Sequence, residues 1–144
     1  VAGETHGLIA AVSDQGFIQW YNGSYSTIGT ASAIGTGSAN TTAIISAQGG
    51  TETSYAAGLA RAYTGGGYTD WFLPSKDELN KMYTNRATIN TTAAANSGSD
   101  FAGGYYWSST EYNLNNAARQ DFGFGFQNTI GKNYTFNVRA VRAF

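Results

Sequence analysis

Gly67-Tyr68-Thr69-Asp70-Trp71-Phe72-Leu73-Pro74-Ser75-Lys76-Asp77-Glu78-Leu79 is the most sharply specified stretch of the chain. The apolar run Trp71-Phe72-Leu73 meets the only proline, Pro74, and Ser75 and Glu78 then stand at capping-box spacing. In that arrangement the serine side chain covers the Glu78 backbone N–H while the glutamate reaches back to the amide of Ser75. The spacing predicts a helix from Lys76 to about Thr84 with Leu79, Met82 and Tyr83 turned inward. Asp77 and Glu78 are explained by the helix dipole and the cap before any catalytic role is needed.

Upstream, Gly7 to Val12 reads as a short buried strand closed by Ser13-Asp14-Gln15-Gly16, and Phe17 to Tyr21 as a second strand ending at the turn pair Asn22-Gly23. Gly23 to Gly37 reads as an ordered loop of small residues. Ser38 is placed to cap a helix over Ala39 to Gln48, with Ala43, Ile44 and Ala47 on its inner face and Gly49-Gly50 as its stop. A second helix is expected over Ser54 to Tyr63, with Tyr55, Leu59 and Ala62 inward and Gly65-Gly66-Gly67 ending it. Downstream, the small polar residues from Arg86 to Gly104 read as a surface excursion. Beyond them Tyr105 to Ser109, Arg119 to Phe126 and Asn133 to Arg142 read as three strands. The fold class is therefore α+β, and 144 residues suit a single domain spanning 1–144, in which 105–144 stands apart as a display segment.

Composition narrows the functions. Only 12% of residues are charged and Gly numbers 19, so the surface is polar without being ionic and offers hydroxyls, amides and aromatic faces. The net charge of -1 and the scattered basic residues argue against nucleic acid as a partner. With no cysteine there is no disulfide framework, thiolate metal site or cysteine nucleophile. No apolar run approaches the ~20 residues that span a bilayer, and Val1 to Glu4 is no signal peptide, so a soluble chain without membrane insertion is expected.

The single histidine, His6, leaves no histidine metal cluster and no Ser-His-Asp relay, and no cofactor or metal is expected. Carboxylates remain: Glu111 or Asp121 could serve a glycosidase if another carboxylate stood within roughly 5 to 10 Å of it. Trp20, Trp71 and Trp107 could each be a sugar-stacking platform, but their apolar neighbours favour the core. Ten of the 21 aromatic residues fall in the last 40 positions, where Arg119, Lys132, Arg139 and Arg142 oppose Glu111 and Asp121.

The stretch quoted first, together with Tyr105-Tyr106-Trp107-Ser108-Ser109-Thr110-Glu111-Tyr112 and the closing Val138-Arg139-Ala140-Val141-Arg142-Ala143-Phe144, resembles the family named for the C-terminal domain of a collagen-like bacterial adhesin. Gly7 to Ala11, Ile18-Gln19-Trp20 and Ala39 to Ile44 fit as well, so the resemblance covers nearly the whole chain. It implies a C-type-lectin-like fold with paired N- and C-terminal strands, two or three helices and a small sheet carrying the ligand surface. The adhesin's domain is trimeric and binds sulfated polysaccharides, which makes a homotrimer and a glycan ligand implications of the likeness.

The closing Val138-Arg139-Ala140-Val141-Arg142 is also similar to the Val-Arg-x-Val-Arg end of variable proteins diversified by retroelements on the same fold. Adenine-directed mutagenesis of asparagine codons in that group scatters Asn, Tyr, Ser, Asp, Gly, Phe, Ile, Thr and Arg over one face. The likeness makes Asn113, Leu114, Asn115, Arg119, Asp121, Gly123, Phe124, Phe126, Asn128, Ile130, Asn133 and Tyr134 ligand-binding display positions. Asn116-Ala117, Phe122, Gly125, Lys132 and Val138 to Arg142 become scaffold. Three residues depart from the pattern: Ala118 stands where the family usually has tryptophan, and Gln120 and Gln127 do not arise from an asparagine codon by adenine changes. The calcium loops of sugar-binding lectins and the cysteines of formylglycine-generating enzymes are both absent.

The resulting expectation is a non-enzymatic recognition domain, displayed on a cell surface or secreted, binding a protein or other ligand through a C-terminal variable face of the retroelement-diversified kind. The alternatives are a bacterial adhesin domain, which would gather Arg119, Lys132, Arg139 and Arg142 around an anionic glycan, and the carboxylate glycosidase.

Overall fold

The computed structural model describes residues 6–144, so the expectation for Val1 to Glu4 lies outside the described residues. Trp71 to Ser75 lies at the centre, and every residue of it is buried. Phe72 exchanges backbone hydrogen bonds of 2.8 and 2.9 Å with Val141, the Leu73 amide donates to the Thr41 hydroxyl at 3.0 Å, and the Pro74 carbonyl accepts from the Ser109 amide at 2.7 Å. This apolar run thus ties the chain's end, a helix and the main sheet together.

The chain begins with β1 (Leu8–Ala10) and β2 (Gly16–Gln19), passes through α1 (Gly37–Gln48), α2 (Ala56–Arg61), α3 (Lys76–Thr84) and α4 (Arg86–Ala95), and ends in β3 (Tyr105–Glu111), β4 (Asn116–Asp121), β5 (Gln127–Gly131), β6 (Thr135–Val138) and β7 (Val141–Ala143). β1 pairs antiparallel with β7, so the N- and C-terminal strands meet as expected and the architecture is α+β. The other five strands form one sheet in the order β2-β6-β3-β4-β5, antiparallel except for β3 against β6. Because two strands, β4 and β3, lie between β5 and β6 in the sheet, the connection after Gly131 must cross both.

The capping box forms as its spacing requires. Ser75 Oγ accepts from the Glu78 amide at 3.3 Å and Glu78 Oε2 accepts from the Ser75 amide at 2.7 Å. Leu79 and Met82 are buried and Tyr83 is half-buried. Glu78 is itself fully buried, and its second oxygen accepts from the Gly35 amide at 2.8 Å, which docks the preceding loop on the helix. Glycine is needed at position 37 because a Cβ there would overlap Glu78 Oε2 and the Phe72 ring.

Several local expectations are corrected. The first long helix starts at Gly37 with Thr36 rather than Ser38 at its cap, and Thr36 donates its hydroxyl to the Ala33 carbonyl instead of accepting from the helix. Its inner face is Gly37, Asn40, Thr41, Ile44 and Gln48, while Ala43 and Ala47 are exposed. Polar groups go inward there because the neighbouring loops offer partners: Asn40 bonds both backbone groups of Ala31, and Gln48 bonds the backbones of Asn22 and Ser24. The second helix is shorter than Ser54 to Tyr63, and Ala62 is exposed rather than inward.

The excursion Arg86 to Gly104 contains a fourth helix, α4, beyond the two or three expected. Its apolar stripe is thin, with only Ala93 buried and Ile89 packed beside it, so periodicity did not reveal it. Thr91 and Thr92 donate their hydroxyls to carbonyls one turn back. The helix closes on Ser97 at φ 60, with the Gly98 amide reaching the Ala93 carbonyl at 2.8 Å and the Ser97 amide reaching Ala94. The three expected C-terminal strands are five: Arg119 to Phe126 breaks at a turn after Asp121, and Asn133 to Arg142 divides between the two sheets.

All three tryptophans are core residues, at 0%, 5% and 0% exposure for Trp20, Trp71 and Trp107. Each indole N–H has a carbonyl partner: Ser108 for Trp20, Gly65 for Trp71 and Ile18 for Trp107.

Candidate ligand-binding face

Strand alternation divides the main sheet into two faces. Gln120 is opposite Tyr106 and Gln127 in register, and this side packs against α3, where Gln120 Nε2 donates to Asn80 Oδ1 at 2.8 Å. On the other side Trp107 is opposite Arg119, Tyr105 opposite Asp121, and Arg119 opposite Asn128. Trp107, Ala117 and Ile130 belong to the core at one end of this side. Towards the other end it opens to solvent.

Arg119 is the centre of the open part. Its guanidinium carbon lies 3.6 Å from the Tyr105 ring centre and 4.6 Å from that of Phe136, and its Nε donates to Asn128 Oδ1 at 2.8 Å. Tyr134 continues the patch, its ring 6.5 Å from Phe136 and 13° from parallel to it. Phe136 also meets the Tyr105 ring at 5.6 Å and the buried Trp107 at 4.9 Å, so the surface aromatics rest on a core aromatic.

At the turn between β4 and β5, Phe124 and Phe126 are 79% and 66% exposed. The turn is held by its own backbone: Asp121 Oδ1 accepts from the Gly123 amide at 2.7 Å, and the Gly125 amide donates to the Asp121 carbonyl at 2.7 Å. Gly125 adopts φ 90, and a Cβ there would run into the Tyr83 ring. Beneath it Phe122 is buried among Tyr83, Phe101 and Tyr106. Burial and the nearby Asp14 carboxylate, which accepts from the Tyr106 hydroxyl at 2.8 Å, hold the Tyr106 phenol far above its ordinary pKa.

The twelve positions expected to display side chains divide into groups. Asn113, Leu114 and Asn115 occupy the turn before β4, while Gly123, Phe124 and Phe126 occupy the turn at its opposite end. Arg119, Asp121 and Asn128 share the open face between them, and Asn133 and Tyr134 follow β5. Most of their side chains are exposed, Arg119 and Asp121 are half-buried, and Ile130 packs against the core. Asn113 has a structural job, since its Oδ1 accepts from the amides of Asn115 and Asn116. Tyr105 and Phe136 complete the patch yet were absent from the twelve. Their signal was the strand alternation that places Tyr105 on the same side as Trp107, and Phe136 two residues after Tyr134.

The four C-terminal cations do not gather. Lys132 pairs with Glu111, Arg139 with Asp14 and Arg142 with Asp70, and the Lys132 and Arg139 side chains are 1% and 0% exposed. The bridge to Arg142 holds the exposed Asp70 carboxyl below its usual pKa. Glu111 accepts from the Ile28 and Gly29 amides as well as from Lys132.

The concavities lie mostly elsewhere. A groove of about 600 Å³ between β1 and α4, lined by Leu8, Ile9, Val12, Ile89 and Phe144, contains none of the twelve positions. A cleft of about 150 Å³ between Lys76 and β5 includes Asn128 alone among them, beside Thr110, Ala118 and Thr129. No helix of the described residues is long and apolar enough to cross a membrane.

The family model described as the Lcl C-terminal domain matches residues 14–142. No curated protein matches the chain.

Proposed function

Because the chain belongs to the Lcl C-terminal domain family, we propose that it is a non-enzymatic, adhesin-like recognition domain displayed on a cell surface, and that it binds a protein ligand through the C-terminal face. What carries this function is the open shape of that face. Phe124, Phe126 and Tyr134 stand at 79%, 66% and 54% exposure on a hydrogen-bonded scaffold, outside the large concavities a small molecule would fill. Rigid aromatics flanked by amides supply contact area at little entropic cost, as antibody paratopes do.

Support for a non-enzymatic role comes from the two carboxylates a glycosidase would have used. Glu111 is held by two backbone amides and Lys132, and Asp121 by the amides of its own turn. A sulfated-glycan ligand would draw on clustered cations, and three of the four sit in separate ion pairs. The contrast between buried Ala117, Phe122, Lys132 and Val138 and their exposed neighbours suits retroelement diversification, because exposed positions tolerate change.

The test exposes wild type and a Phe124→Ser/Phe126→Ser/Tyr134→Ser variant of equal unfolding midpoint to a glycan array and a bacterial surface-protein array. Binding to a protein that survives ~0.5 M salt and disappears in the variant is expected. Binding to sulfated glycans alone, abolished by salt, would overturn the protein-ligand function. Diversification is tested in the DNA: it requires a near-copy of the final codons with adenines at the display positions beside a reverse transcriptase gene, and an intact locus lacking both sinks it.

A further inference from the structure

We propose that Arg119 recognises a carboxylate group on an acidic segment of the protein ligand, as the fixed cation at the centre of the display face. The proposal rests on the recognition function above and adds the chemistry of the ligand to it. Of the four cations in the C-terminal segment, Arg119 is the one that forms no ion pair among the described residues. Asp121 follows on the same face, but its Oδ1 accepts from the Gly123 and Phe124 amides.

The guanidinium is also held in place. Its plane is packed over Tyr105 and Phe136, and Nε is engaged by Asn128 Oδ1, while both terminal nitrogens have no hydrogen-bond partner among the described residues. A guanidinium anchored through Nε and its flat face presents the remaining N–H edge in fixed geometry. Two parallel N–H donors match the two oxygens of a carboxylate, and preorganisation lowers the entropy lost on pairing. Tyr134, stacked beside the Phe136 ring that supports the guanidinium, adds apolar area for the stem of the acidic side chain.

The experiment is an NMR titration of isotopically labelled protein with a capped tri-aspartate peptide and its tri-asparagine counterpart at low ionic strength. The aspartate peptide is expected to shift the Arg119 Nε–H and Asn128 side-chain amide signals saturably, with apparent affinity about tenfold or more above the asparagine peptide. Arg119→Gln should lose the difference and Arg119→Lys should keep only part of it, with backbone signals of β3 and β4 reporting that each variant is folded. Equal response to both peptides, no response at Arg119, or an undiminished response in Arg119→Gln overturns carboxylate recognition. Asparagine-peptide shifts confined to Tyr134 and Phe124 would overturn it while leaving the recognition face standing. Shifts from both peptides confined to α4 would overturn both.

Discussion

The Lys132 ammonium lies 2.8 Å from the Glu111 carboxylate, with the two side chains 1% and 3% exposed. Lys132 also donates to the Ser26 carbonyl at 3.0 Å and lies 4.7 Å from the Trp20 ring centre, while Glu111 accepts from the amides of Ile28 and Gly29. The pair therefore ties the loop around residues 26–29 to the ends of β3 and β5.

Removing one member strands the other in the interior. Glu111→Ala and Lys132→Ala should each cost about 3–5 kcal/mol in urea unfolding, whereas a Glu111→Leu/Lys132→Met double variant should recover much of either loss. Single variants within 1 kcal/mol of wild type would show that the pair contributes little.

The capping box should grade with the number of orphaned groups. Ser75→Ala loses the cap and should cost about 1 kcal/mol. Glu78→Ala leaves the Ser75 and Gly35 amides without their carboxylate acceptor and should cost more, about 2–4 kcal/mol. Thermal unfolding of the two variants side by side checks the order.

Alkaline stability should carry the signature of Tyr106. Its phenol is raised in the folded state chiefly by burial, then by Asp14, so its contribution is complete below the ordinary tyrosine pKa. It is lost as pH rises above that value, because the unfolded chain releases the proton first. Tyr106→Phe should flatten the fall of stability above about pH 10 by up to about 1.4 kcal/mol per pH unit. An unchanged slope in denaturant titrations at high pH would remove Tyr106 from the effect.

The proposed display and scaffold positions should respond oppositely to substitution. Phe124→Ser, Phe126→Ser and Tyr134→Ser should each change unfolding stability by no more than about 0.5 kcal/mol. Gly125→Ala, at φ 90 and facing the Tyr83 ring, should cost at least about 1–2 kcal/mol. Chemical denaturation distinguishes the two classes directly.

Where local chemistry decides the outcome, the sequence was legible. Ser75 and Glu78 form their box within four residues, and the tryptophans read as core because their neighbours are apolar. The α4 helix was illegible because Thr91 and Thr92 satisfy themselves on their own backbone and only Ala93 is buried. The inner face of α1 was misread because Asn40 and Gln48 are buried by loops distant in sequence that supply their partners.

Whereas the pairing of the terminal strands was implied only by the family resemblance, an α+β chain with a capped central helix, a tryptophan core and an aromatic, asparagine-rich C-terminal segment is dictated by the amino-acid sequence alone. These follow from periodicity, capping chemistry and composition, which act over a few residues. Which of the four C-terminal cations pairs with a carboxylate is set by the tertiary fold. Asp14, Asp70 and Glu111 take Arg139, Arg142 and Lys132 across 125, 72 and 21 residues, while Arg119 is left on the open face over Tyr105 and Phe136. Charge pairing depends on distance in space, and that distance is set by the packing of the two sheets and the strap from Trp71 to Ser75.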